Sequence, residues 1–195
     1  MKFFARFISW LFHPVIFALL LPFIIVYWQT SNTFYAFKWM AFSSCFLILT
    51  LFIFYLVRPK EFFNDFDIYK REQRVAFYTI SCVIALLYFL SAVYFKGIFF
   101  PLSALALGIV IGLVFLEIVN FYIKASIHVA VTCAFAILMG VLYGSVAFVT
   151  AIWIPMLVAW SRYTLKKHTP AEIVAGALFG SFVTGFTFFI GKLIL

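Results

Sequence analysis

Apolar residues fall in seven long blocks along this chain, and the polar positions lie almost wholly between them. The blocks cover roughly residues 9–28, 37–57, 75–95, 98–119, 126–143, 145–160 and 169–190. Most are close to the roughly 20 apolar residues that a helix needs to cross the hydrocarbon core of a bilayer. The blocks are continuous, without the two-residue alternation of a barrel strand. Lipid leaves only helices or closed barrels as spanning structures, because every backbone polar group must be satisfied internally. The pattern therefore predicts an all-α fold: a polytopic transmembrane helical bundle of about six to seven spans, forming a single integral membrane domain over residues 1–195. The fifth and sixth blocks share a short stretch, so both helices must be short and nearly upright.

Local signals set the boundaries. His13-Pro14 sits near the start of the first block, where a proline is tolerated because its missing N–H has no helical partner. Gln29 to Thr33 is a polar turn, and Trp28, Tyr35 and Trp39 flank it as an aromatic belt would. Lys96-Gly97 reads as a tight turn, Ser126 as a helix N-cap, and Gly140 and Gly144 as the brackets of another turn. Thr169-Pro170-Ala171-Glu172 is a capping box with proline at the first helical position. Gly176 and Gly180 are four residues apart and would let a second helix approach closely. Residues 1–21 mimic a signal peptide, with Lys2 and Arg6 before an apolar core. The run continues to Trp28 without a small-residue cleavage site, which reads as an uncleaved first span.

Composition agrees with a membrane domain: 67% of the 195 residues are hydrophobic and 10% are charged. The net charge is +8. With no soluble basic face and no recognition motif, it implies no nucleic-acid partner, only loop charge facing membrane lipids. Cys45, Cys82 and Cys133 lie inside apolar blocks without metal-ligand spacing and read as small buried hydrophobes.

Counting alternately along seven spans puts four polar segments on one face: the N-terminus, 58–75, 120–127 and 161–169. Of the 14 Lys and Arg residues, all but Lys38, Lys96 and Lys192 collect there. His128 and His168 join them, with most of the acids. By the positive-inside rule this charged face is cytoplasmic.

Two segments on that face carry paired chemistry. One is Lys124-Ala125-Ser126-Ile127-His128. The other is Ser161-Arg162, five residues, His168, three residues, Glu172. Together they resemble the type 2 phosphatidic acid phosphatase superfamily of lipid phosphate phosphatases. That family's second motif reads Pro-Ser-Gly-His, and its third reads Ser-Arg, five residues, His, three residues, Asp. The order of motif two, two helices, motif three and one last helix also fits. The similarity covers about 124–195, and more loosely the whole hydropathy profile; the core catalytic part it implies is about 98–195.

The resemblance implies a mechanism. His168 is the nucleophile that forms a phosphohistidine, Glu172 orients and charges its ring, and His128 protonates the leaving group. Arg162, Lys124 and Ser126 bind the phosphate. Such chemistry is mostly positioning and charge stabilisation, which a planar guanidinium and a point ammonium charge supply. The implied substrate is a lipid phosphomonoester or prenyl diphosphate, and the reaction uses no metal and no cofactor.

The sequence departs from the family pattern in places. Glu172 stands for Asp, and the capping box alone would also account for it. Ala125 and Ile127 stand for Pro and Gly, and a β-branched residue lacks the backbone freedom of glycine. The family's first motif, a Lys, six residues and then Arg-Pro, is missing just upstream of the second. Lys124 is one stand-in for its Lys, and Arg58, Lys70, Arg71 or Arg74 would supply its Arg from the 58–75 segment. The altered motifs also fit a catalytically inactive, lipid-phosphate-binding protein of the same fold. A transporter fits less well, since the span centres carry no charge and no inverted repeat is evident.

Overall fold

A computed structural model describes residues 1–57, 71–98 and 100–194, with the side chains of 71–73 and 190–194 outside that description. Among the described residues there are nine helices and no strand. They are α1 (Lys2–Leu11), α2 (Pro14–Thr30), α3 (Thr33–Val57), α4 (Arg71–Lys96), α5 (Pro101–Tyr122), α6 (Ile127–Tyr143), α7 (Ser145–Ala151), α8 (Trp153–Thr164) and α9 (Pro170–Ile194). Two pairs, α1–α2 and α7–α8, are single apolar stretches broken near their middles. Among the described residues six stretches are long and apolar enough to cross a membrane, and α6 is a shorter apolar helix of 17 residues. Large apolar side chains point outward along them, Phe52, Leu56, Tyr94, Leu178 and Phe182 among others. This is the surface of a multi-pass membrane protein, which water would not support.

The breaks have local causes. Pro14 does not sit within the first turn of a helix that begins at residue 9. It is the first residue of a new one. The residue before a proline is pushed out of the α region, and His13 is extended at φ −70°, ψ 140°. The His13 Nδ1 then accepts a hydrogen bond from Val15 N at 3.3 Å and caps α2. The second break follows Ala151, four residues before Pro155, whose ring crowds the carbonyl one turn back. Gly144 turns the chain between α6 and α7 at φ +87°.

Helix neighbours are α2 with α3, α3 with α4, α4 with α5, α5 with α9, α6 with α9 and α1 with α8. Three apolar clusters hold them. Ile25, Val26, Trp39, Phe100 and Leu102 join α2, α3 and the start of α5. Ile8, Val129, Cys133 and Val158 join α1, α6 and α8. Tyr78, Leu116 and Ala125 join α4, α5 and the link before α6. Trp39 is thus a core residue packed on Phe100, not a member of an interfacial belt. Of the three cysteines only Cys133 is buried; Cys82 is half-buried and Cys45 faces outward.

The α6–α9 seam is the closest. A methyl group built on Gly176 would lie 2.5 Å from Ser126 O, and one on Gly180 would collide with Ala130 O. Only glycine lets the two backbones meet there. Lys96 Nζ sits 5.1 Å over the Tyr35 ring, which brings the 29–33 turn and the 96–97 turn to one end of the bundle.

Candidate functional site

The turn between α8 and α9 builds the polar site. Ser161 and Arg162 occupy the last turn of α8. Leu165 N bonds Ser161 O at 2.9 Å, Lys166 N bonds Tyr163 O at 2.9 Å, and Lys167 N bonds Arg162 O at 3.1 Å, so the chain winds tightly off the helix. Lys166 takes the left-handed conformation, φ +55°, to do so.

The capping box then starts α9. Thr169 Oγ1 accepts from Glu172 N at 3.3 Å, and Glu172 Oε2 accepts from Thr169 N at 2.9 Å. The same Oε2 lies 3.2 Å from His168 Nδ1. Glu172 therefore serves the cap and the imidazole together, with one oxygen. An Nδ1–H donated to that carboxylate leaves the lone pair on Nε2.

The second segment reaches this turn through main-chain atoms. Ser126 N donates to Glu172 O at 3.0 Å, beside Gly176. Ser126 is extended at φ −77°, ψ 106°, and Ile127 is the first helical residue. No residue of this link needs a positive φ, so Ile127 fits where the family pattern has glycine.

Lys124, Tyr163, Lys166, Lys167, His168, Thr169 and Glu172 line an open cleft of about 560 Å³. His168 is largely buried at its edge, with 7% of its side chain exposed. Burial, then the nearby Arg162 and Lys124 cations, pull its imidazole below the usual value of 6.5, and Glu172 opposes them. Burial and the two cations thus disfavour the protonated ring.

Three residues of the expected set lie elsewhere: Ser126, whose buried hydroxyl does not reach the cleft, Arg162 and His128. Arg162 is buried, 4% exposed, and is turned under α1, where Nη1 donates to Ser9 Oγ at 3.0 Å. Its neighbour Ser161 Oγ donates to Ala5 O at 2.6 Å. Arg162 acts on His168 electrostatically but does not line the cleft. His128 also stays out of the lining; its ring meets His13 edge-on, centroids 4.9 Å apart.

Of the further cations, Arg74 lies on the first turn of α4 with Nε and Nη1 buried. Arg58 and Lys70 lie outside the described residues, as does the side chain of Arg71. From the sequence alone Ser9 has no role and His13 is placed only beside Pro14 at a helix start. The signal for His13 was the Pro14 that follows it; nothing in the sequence pattern marks Ser9. No family model, curated protein or solved structure matches this chain.

Proposed function

We propose that this chain is a membrane lipid phosphatase, a divergent relative of the type 2 phosphatidic acid phosphatases. It hydrolyses a lipid phosphomonoester or prenyl diphosphate through a phosphohistidine. One observation carries the reading: His168 Nδ1 on Glu172 Oε2 at 3.2 Å, beside a cleft lined by Lys124. In this mechanism His168 Nε2 attacks phosphorus, the P–O bond to the leaving group breaks, and Glu172 stabilises the charged ring. Lys124 balances phosphate charge in the cleft, and Arg162 adds its field from behind. His128 donates the leaving-group proton, a step that brings its side chain to the cleft. Water then takes the phosphoryl group from His168. The positive charge on this face supports a cytoplasmic orientation of the site.

A second reading has its own support. Arg162 is engaged by Ser9, His128 is packed on His13 and the Ser126 hydroxyl is buried, so the cleft keeps Lys124, Lys166 and Lys167 while three expected participants stand back. This arrangement suits a protein that binds lipid phosphate without turnover. Phosphate release decides between them. The purified protein would be given phosphatidate, phosphatidylglycerol phosphate and farnesyl or undecaprenyl diphosphate, with EDTA present and His168→Ala alongside. Release lost in the variant supports the enzyme; release equal to the variant on every substrate leaves the binder.

A further inference from the structure

We propose that Arg74 and Asn120 form a second oxyanion site on the α4–α5 seam, separate from the His168 cleft and suited to a phosphate group at the membrane edge. The two helices run antiparallel. Tyr78 and Leu116 pack in one cluster, and Thr79 Oγ1 donates to Glu117 Oε1 at 3.3 Å beside it. One helical turn back from Tyr78 is Arg74, and one turn on from Leu116 is Asn120. On antiparallel neighbours these steps lead to the same level of the seam.

Both side chains present buried donor atoms without acceptors. Asn120 is 7% exposed, and its Nδ2 has no hydrogen-bond partner. Arg74 Nε and Nη1 are buried and likewise have none. Among the described residues no carboxylate forms an ion pair with Arg74; Glu117, the nearest acid along α5, is bonded to Thr79. Buried guanidinium and amide N–H groups without acceptors are costly. An oxyanion satisfies both at once, and phosphate offers enough acceptors to meet them together. Ala125 closes the cluster from the link, and the neighbouring Ser126 hydroxyl is fully buried and also without a partner. The site therefore abuts the segment that carries Lys124 to the cleft.

The source of the phosphate is either a lipid headgroup or free phosphate, and titration separates them. The thermal midpoint of the purified full-length protein in uncharged detergent would be followed against dihexanoyl phosphatidate and against inorganic phosphate. Wild type, Arg74→Gln, Asn120→Leu and His168→Ala would be compared. The expected result is a midpoint that rises with ligand in wild type and His168→Ala. The half-saturating concentration should be roughly tenfold or more higher in Arg74→Gln and in Asn120→Leu, as loss of a charge-assisted bond predicts. Equal response to both probes identifies free phosphate; response to phosphatidate alone identifies the headgroup. A wild type without any shift, or variants that keep the wild-type half-saturation, overturns the site. Should one variant fail to fold, the other gives the answer. The site does not depend on hydrolysis: an Arg74-dependent shift without phosphate release would end the enzyme reading and leave this one standing. Release that needs His168, with a shift indifferent to Arg74 and Asn120, would do the reverse.

Discussion

His168 Nδ1 lies 3.2 Å from Glu172 Oε2, and that oxygen also accepts the Thr169 N–H at 2.9 Å. One carboxylate oxygen thus joins helix initiation to the orientation of an imidazole. Substitution separates the two roles. Glu172→Gln keeps a side chain that can complete a capping box, so stability should change little. It removes the charge behind the ring, so turnover should fall by roughly a hundredfold or more, within the range for loss of acid–base or electrostatic assistance. Thr169→Ala should do the opposite, costing about 1 kcal/mol of stability while most activity stays. Thermal midpoints and kcat for the pair check this; equal loss of kcat in both would reduce Glu172 to a cap.

The pH response of His168 has a definite sign. Its folded value lies below 6.5, owing to burial, Arg162 and Lys124. The unfolded chain then binds the proton more readily than the folded one, so stability falls as pH drops from about 6.5 toward the folded value and levels off below it. The limb should vanish in His168→Ala. Lys124→Met removes one depressing charge and should shorten the limb, whereas Glu172→Gln removes the opposing charge and should extend it to lower pH. Midpoints measured from pH 7.5 to 4.5 give the answer, and identical profiles in all four proteins would refute the assignment.

Ser9 Oγ is a partner of the Arg162 guanidinium, 153 residues away in the chain. Ser9→Ala should destabilise the protein by about 1–3 kcal/mol, because the partner is charged and the site is buried. Ser9→Thr keeps the hydroxyl and should recover part of the loss. Equal midpoints for wild type and Ser9→Ala would show that α1 is not anchored through this bond.

At the α6–α9 seam, Gly180→Ala should be severe, since the added methyl meets the Ala130 carbonyl, a backbone atom that cannot swing away. Gly176→Ala should also part Ser126 from Glu172 and lower any phosphate release. Gly185→Ala is the control, with nothing within 4 Å of the added carbon. Midpoints should order wild type and Gly185→Ala above Gly176→Ala and Gly180→Ala.

Spans and their ends were readable because hydropathy and breakers act locally. The blocks at 37–57 and 75–95 correspond to α3 and α4, and Thr169 to Glu172 forms the capping box that its spacing predicts. The Gly176–Gly180 pair foretold a close helix, though not that the helix would be α6. The continuous first and sixth blocks concealed two breaks, because proline's effect depends on whether it opens a helix or interrupts one. Pro14 opens α2, and Pro155 lies just past the break after Ala151. Within the site, His168 and Glu172 were legible through their i, i+4 spacing. The Arg162–Ser9 and His128–His13 contacts were not, since each joins segments more than a hundred residues apart and no periodicity reports on such distances.

The bond from Ser126 N to Glu172 O uses main-chain atoms alone. It asks nothing of either side chain beyond the glycine at 176 that makes room for it. The register between the link and α9 is therefore fixed by peptide groups and by the space at 176. A hinge between two helices is thus clamped at its backbone, where substitution of the flanking side chains leaves the clamp in place and only crowding at 176 can pry it open.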